Sequence, residues 1–316
     1  MLSDRKLIRN ALKERVLIAE GATNSQIRRI KRKEALTASV FVATPIVIIS
    51  IYVFLAFILA IILSFFSGNL DPSMKSIHYV GFGNWTKVFK DPMLGKAVKN
   101  TFLFASVTTV FNIVGALIIT SILNLGKIKN KNFFLTIYFF PQVTSSIAAA
   151  IIFTKIIGKD GLFHLDLIKN PSDAMWIMIV SSIWGGISGG MITFNTAFSG
   201  IGNSQYEAAK VDGASAWQSF ISITVPSLGP ILAYTLITSV IGGMGVFDQA
   251  YVMALIGGNG RSVMTWSLLG FARIIPVKGA GMIPNVGLGV ATLTFLGITI
   301  FGLTKIINIF KPIDRK

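Results

Sequence analysis

Residues 28–33 read RRIKRK, and after Glu34 the chain continues ALTASVFVATPIVIISIYVFLAFILAIILSFFSGNL over residues 35–70 without one charged side chain. A helix needs about 20 apolar residues to cross a bilayer, because lipid offers no partner to an open backbone amide. The run is too long, and begins too far along the chain, to be a cleaved signal peptide, so it reads as a permanent first span. Five more uncharged runs follow, over residues 100–126, 132–154, 174–206, 213–247 and 279–304. The expectation is an all-α, polytopic membrane helix bundle with about six transmembrane helices, the longer runs ending in interfacial turns or short helices.

The composition agrees. Of 316 residues, 53% are hydrophobic and 13% charged, where a soluble domain carries about 25% charge. Lys+Arg number 29 against 13 Asp+Glu, a balance that on a soluble domain would suggest nucleic acid. Here the basic residues sit between uncharged runs, which excludes a nucleic-acid partner. There is no cysteine, and the two histidines, His78 and His164, lie far apart in expected loops. Disulfides and thiolate metal sites are thereby excluded, and no metal or catalytic residue is expected.

The basic cluster before the first run places the N terminus inside by the positive-inside tendency. Six crossings then return the C terminus to the same side, where Lys305, Lys311, Arg315 and Lys316 stand. On this path eighteen Lys/Arg fall inside and eleven outside. Three regions follow: a basic cytoplasmic segment (1–34), a transmembrane domain (35–310) and a short cytoplasmic tail (311–316). Ile8, Leu12, Val16 and Ala19 recur at helical spacing, so the first segment reads as an amphipathic helix on the inner leaflet or as a solvated basic arm.

Two groups of glycines punctuate the spans. Gly185, Gly186, Gly189 and Gly190 repeat at i, i+4, a pattern that lets helices approach closely. Gly242, Gly243 and Gly245 either serve the same end or break the fifth span beside a pathway. Asp248 follows them, as a pathway carboxylate or as an interfacial residue that orders a loop. With Asn195, Tyr234, Gln249 and Tyr251 it makes up the candidate pathway set, side chains that could offer hydrogen bonds and aromatic faces to a polar solute; Thr193 is a further candidate.

Between the fourth and fifth runs lies a polar loop, QYEAAKVDGASAWQSFI over residues 205–221. Glu207 to Val211 favours helix, Asp212-Gly213 supplies a bend with a left-handed position, and helix resumes from Ala216 before Pro226. Glu207-Ala208-Ala209, Asp212-Gly213-Ala214, Phe220, Ile223, Pro226 and Pro230 resemble the coupling loop of binding-protein-dependent ABC importer permeases, with Val225 where leucine is usual. Val80-Gly81-Phe82-Gly83-Asn84-Trp85 and Phe247-Asp248-Gln249-Ala250-Tyr251-Val252-Met253 are similar to motifs of the maltose-type carbohydrate permeases, although Asn259 stands where that family has proline. The resemblance covers roughly residues 38–310.

The resemblance implies the transmembrane domain of a type I ABC importer, forming half of the pathway for a di- or oligosaccharide. It implies four kinds of partner: a second homologous permease, two ATP-binding domains, an extracytoplasmic solute-binding protein and membrane lipid. Glu207, Ala208, Ala209, Asp212, Gly213, Ala214 and Phe220, within a coupling loop at 204–226, would seat in the ATPase. No G-x-x-x-x-G-K-[ST] phosphate loop occurs in the chain, so no cofactor is expected on it, with ATP and magnesium on the partner ATPase. The resemblance also implies a bacterial cytoplasmic or inner membrane. Glycerol-phosphate or acidic-sugar permeases are the alternative, for which Arg261, Arg273 and Lys278 are the cationic candidates, unless these side chains merely meet the binding protein or lipid headgroups. An ion-coupled secondary transporter is a further alternative, although neither buried charges beyond Asp248 nor an internal repeat is evident.

Overall fold

The computed structural model describes residues 24–69, 76–125, 128–158, 161–162, 164, 171–256 and 260–309. The expected amphipathic periodicity at residues 8–19, the tail at 311–316 and Asn259 lie outside them. The chain forms two units, residues 1–59 and 60–316. In the first, helix α1 (Asn24–Ser50) runs into a π-helical turn, Ile51–Leu55. Helix α2 (Ala56–Leu63) carries the chain into the second unit.

There a two-residue antiparallel pair, β1 (Phe66–Ser67) with β2 (His78–Tyr79), precedes α3 (Gly83–Lys90) and the long α4 (Leu94–Leu125). Then come α5 (Lys131–Val143), α6 (Ser146–Ile157) and α7 (Pro171–Phe198). The loop helices are α8 (Asn203–Val211), α9 (Ala216–Ser219), a π-turn at Phe220–Thr224 and α10 (Val225–Ser227). The remaining helices are α11 (Gly229–Met244), α12 (Asp248–Ile256), α13 (Trp266–Ile274) and α14 (Val286–Ile309).

Among the described residues, five stretches are long and apolar enough to span a membrane: Arg32–Leu63, Leu94–Asn124, Asp173–Phe198, Gly229–Ile256 and Val286–Ile309. The third expected run is not one straight helix. It is α5 and α6, bent by 97° at Thr144–Ser145 and counting as a sixth span if taken together. Pro141 lacks an amide donor, and Thr144 and Ser145 adopt extended backbone. A break at this depth is tolerated where the freed backbone faces a polar cavity and not lipid. The fourth and fifth runs end in short helices and turns at the loop between them, as expected of runs longer than one span: α7 ends at Phe198 and α11 begins at Gly229.

Helices α4 and α7 pack through small residues, as their spacing predicts. A side chain added at Gly190 would stand 2.7 Å from Ala116 Cβ, and one at Gly115 would meet Ile187 at 2.8 Å. Met191 and Phe194 of α7 and Ala116 and Leu123 of α4 form one buried cluster. A larger one joins α4, α7, α12, α13 and α14 through residues such as Met178, Met253, Leu268 and Ala291.

The hairpin end of the bundle is fastened by the motif at residues 80–85. Asn84 is fully buried and donates to the carbonyls of Ser64 (2.9 Å) and Phe66 (2.6 Å), while Trp85 Nε1 donates to Ser64 Oγ. Asn100 Nδ2 donates to the carbonyls of Ser262 and Met264, and Trp266 Nε1 to that of Thr292. Arg273 forms an ion pair with Asp91 at 2.5 Å, the two side chains being 15% and 4% exposed. That pairing engages Arg273, one of the three cationic candidates, with a carboxylate of the chain itself. Arg261 is exposed, and its Nε donates to the Ala280 carbonyl at 3.3 Å.

Candidate functional site

A cavity of about 590 Å³ opens where α4, α5, α6, α7, α11 and α12 converge. It lies at mid-depth, since Asn112 sits near the middle of α4 and Gly185 near the middle of α7. Three structural interruptions meet there. Pro141, Thr144 and Ser146 line it at the bend between α5 and α6, and Gly245, Val246 and Phe247 at the break between α11 and α12. The third is the absence of side chains along α7. Gly186 faces the Asn112 carboxamide, and a Cβ at Gly189 would stand 2.7 Å from Gln142 Oε1.

The polar lining is therefore carboxamide and hydroxyl. Ser182 Oγ donates to Gln249 Oε1, and Gln249 is 7% exposed. Thr108 Oγ1 donates back to the Phe104 carbonyl at 2.7 Å. The Asn112 Oδ1 acceptor is buried and has no hydrogen-bond partner, which leaves an unmet demand for a donor in the cavity wall. Trp184, Phe104 and Phe247 add aromatic faces, and Asp248 is the one ionisable residue among those lining the cavity.

Of the five pathway residues expected from sequence, the structure brings two here, Asp248 and Gln249. Asp248 opens α12 inside the span Gly229–Ile256, so it borders the cavity and not only an interfacial loop. The other three lie elsewhere. Tyr251 stacks on Phe247 and meets Phe271 edge-on in the core. Tyr234 is 58% exposed on α11. Asn195 accepts from Asn124 Nδ2 at 3.1 Å, in a chain that continues to Lys131, and Thr193 donates to the Gly189 carbonyl. Sequence reasoning missed Asn112, Gln142 and Ser182, although a carboxamide in the middle of an uncharged span is itself a signal.

The residues expected from sequence to form a coupling loop make a second, separate feature. Helix α8 carries Glu207, Ala208 and Ala209 and has no buried residue. It stops in a Schellman motif: Gly213 N donates to the Lys210 carbonyl, Ala214 N to that of Ala209, and Gly213 has φ +75°. Asp212 is the C-cap. Ser215 and Gln218 then form a reciprocal capping box that opens α9, with Ser215 N to Gln218 Oε1 at 2.7 Å. Phe220 stacks on Trp217, which is 70% exposed, and Val211 is 88% exposed. The result is a polar-backed knob with apolar tips.

Similarity searches give a consistent answer. Residues 114–311 match the family described as binding-protein-dependent transport system inner membrane component. The lactose transport system permease protein LacF of Rhizobium radiobacter is 31% identical over 252 residues, 76% of this chain and 83% of the relative. The arabinooligosaccharides transport system permease protein AraP of Bacillus subtilis (strain 168) is 30% identical over 213 residues, 63% of this chain and 68% of the relative. Among solved structures, a bacterial ABC transporter involved in import of the acidic polysaccharide alginate aligns with TM-score 0.71 at 19% identity, covering 93% of this chain and 100% of that one. That last likeness supports the helix-bundle fold. With its match across most of the spans, the chain belongs to the binding-protein-dependent transport system inner membrane components, as a multi-pass ABC permease subunit.

Proposed function

We propose that this chain forms half of the membrane pathway for a neutral di- or oligosaccharide, driven by ATP hydrolysed on a partner subunit. The observation that carries the substrate class is the cavity lining: among the described residues it holds carboxamides, hydroxyls and three aromatic rings, with one carboxylate and no cationic side chain. Such a wall offers hydrogen bonds to hydroxyls and faces to sugar rings. An anionic sugar or glycerol phosphate would instead meet the Asp248 charge in a site of reduced dielectric, with no cation to offset it. The names of the lactose and arabinooligosaccharide relatives support the neutral reading.

Membership of the family supports the remaining assembly proposed here. A solute-binding protein delivers cargo on the hairpin side, a second permease completes the pathway, and two ATPase domains, which bind ATP and magnesium, receive the knob at residues 204–226. Glu207 offers a carboxylate to a basic or amide group there, and Gly213 allows the sharp turn. Both termini lie on the ATPase side of the cytoplasmic membrane. The region boundaries proposed are 1–34, 35–310 and 311–316.

The test is to co-purify the complex from membranes and measure ATP hydrolysis with binding protein loaded in turn with neutral and acidic sugars. Stimulation by a neutral oligosaccharide alone is the expected result. Stimulation only by an anionic solute overturns the substrate assignment, and transport by this chain alone on an ion gradient overturns the ATP-driven reading.

A further inference from the structure

Helix α8 has no buried residue, yet a knob transmits force only if it is fastened to a span. Among the described residues, the one side-chain hydrogen bond from α8 to another element joins Tyr206 Oη to Thr224 Oγ1 at 2.9 Å. Thr224 is fully buried and closes the π-turn Phe220–Thr224. The cause of that turn is close at hand: Pro226 lacks the amide that would bond to the Ser222 carbonyl, so the helix widens just upstream. Single π-turns inside helices recur at functional sites because they re-aim one side chain. This one presents a buried hydroxyl to α8.

We infer that Tyr206 and Thr224 are positioning residues: their hydrogen bond clamps the coupling helix to the π-turn, so that displacement of α8 is passed to α11. The inference rests on the coupling reading of residues 204–226. A rigid link through the two short turns alone is insufficient, since Asp212–Ser215 and Ser199–Gly202 lie outside the helices and α8 has no buried residue. The clamp closes the loop from α8 to α10 on itself across the Asp212–Ser215 turn, so that α8 and the π-turn move as one body. Loss of either hydroxyl frees α8 while leaving its docking face, Glu207 and the Gly213 turn, unaltered.

The chain has no cysteine, so spin labels at Lys210→Cys and Ser227→Cys report the α8–α10 distance in the co-purified complex. Measurements are made with and without ATP-vanadate, beside ATP hydrolysis and thermal stability. The wild type should give one narrow distance in both states. Tyr206→Phe and Thr224→Val should each raise the displaced population roughly two- to tenfold, the factor given by loss of one hydrogen bond, with assembly and thermal stability kept. Thr224→Ser should restore the narrow distance, and the double variant should equal either single one. Unchanged distances in Tyr206→Phe and Thr224→Val overturn the clamp, as does a loss of assembly or stability that Thr224→Ser shares. If the Lys210 label in wild-type protein is indifferent to the presence of the ATPase, the coupling reading itself fails, and the clamp with it.

Discussion

Asn112 and Gly186 meet across the α4–α7 interface: the carboxamide of Asn112 occupies the space that a side chain at 186 would fill, and its Oδ1 is left buried without a partner. The glycine thus serves the cavity as well as helix packing. It makes room for a polar group at mid-membrane depth. Gly186→Ala must push the Asn112 amide aside, so solute transport should fall roughly tenfold, equivalent to about 1.4 kcal/mol of hydrogen bonding. Initial uptake rates in vesicles, with assembly checked by co-purification, measure this; an unchanged rate would remove Asn112 from the pathway.

The charge of the cavity predicts selectivity. With Asp248 its one ionisable residue, an acidic disaccharide should not compete with neutral solute in the wild-type complex. Asp248→Asn should allow that competition while neutral uptake stays within about threefold, since an amide keeps a hydrogen-bonding oxygen. Competition by the acidic sugar equal in both proteins would show that the carboxylate does not screen cargo.

Gly213 is a conformational requirement and not a packing one, because a Cβ there meets nothing within 4 Å while φ is +75°. Gly213→Asn should therefore support near-normal transport, asparagine being tolerant of the left-handed region. Gly213→Val should unwind the turn at a local cost of about 1–2 kcal/mol or more and abolish ATP-coupled uptake with insertion intact. Equal transport by the two variants would refute the role of the turn.

The Asp91–Arg273 pair bridges the start of α4 to the end of α13, and Asp91 Oδ1 also accepts from Met93 N at 2.9 Å. Removing one partner strands a largely buried charge. Asp91→Ala should destabilise the purified protein by about 3–5 kcal/mol, and Asp91→Asn with Arg273→Met by much less. Thermal unfolding in detergent compares them; a double variant as damaged as the single one would show that the pair itself, and not the stranded charge, sets the stability.

The spans were legible because lipid imposes a crude rule that local sequence obeys: residues 35–70 or 279–304 have no alternative to crossing once charge is absent. The loop at 205–221 was legible for a different reason. A helix stop at Asp212-Gly213 and a restart at Ser215 are local hydrogen-bond patterns, closed within a few residues. The cavity was not legible in the same way. Tyr234, Tyr251 and Asn195 have suitable chemistry but point to the surface, the aromatic core and the Asn124 amide respectively.

Sequence by itself determined the membrane class, the expected span count, the knob and the family to which they point, since each depends on composition or on contacts between near neighbours. Only the tertiary structure decided that α5 and α6 bend apart and that α7 turns glycines toward Asn112 and Gln142. It also decided that Asp248 and Gln249 face the same space. Those outcomes depend on how helices far apart in the chain rotate and cross. In a bundle where every face is apolar, that rotation is set by close packing of small residues and by which polar groups find partners.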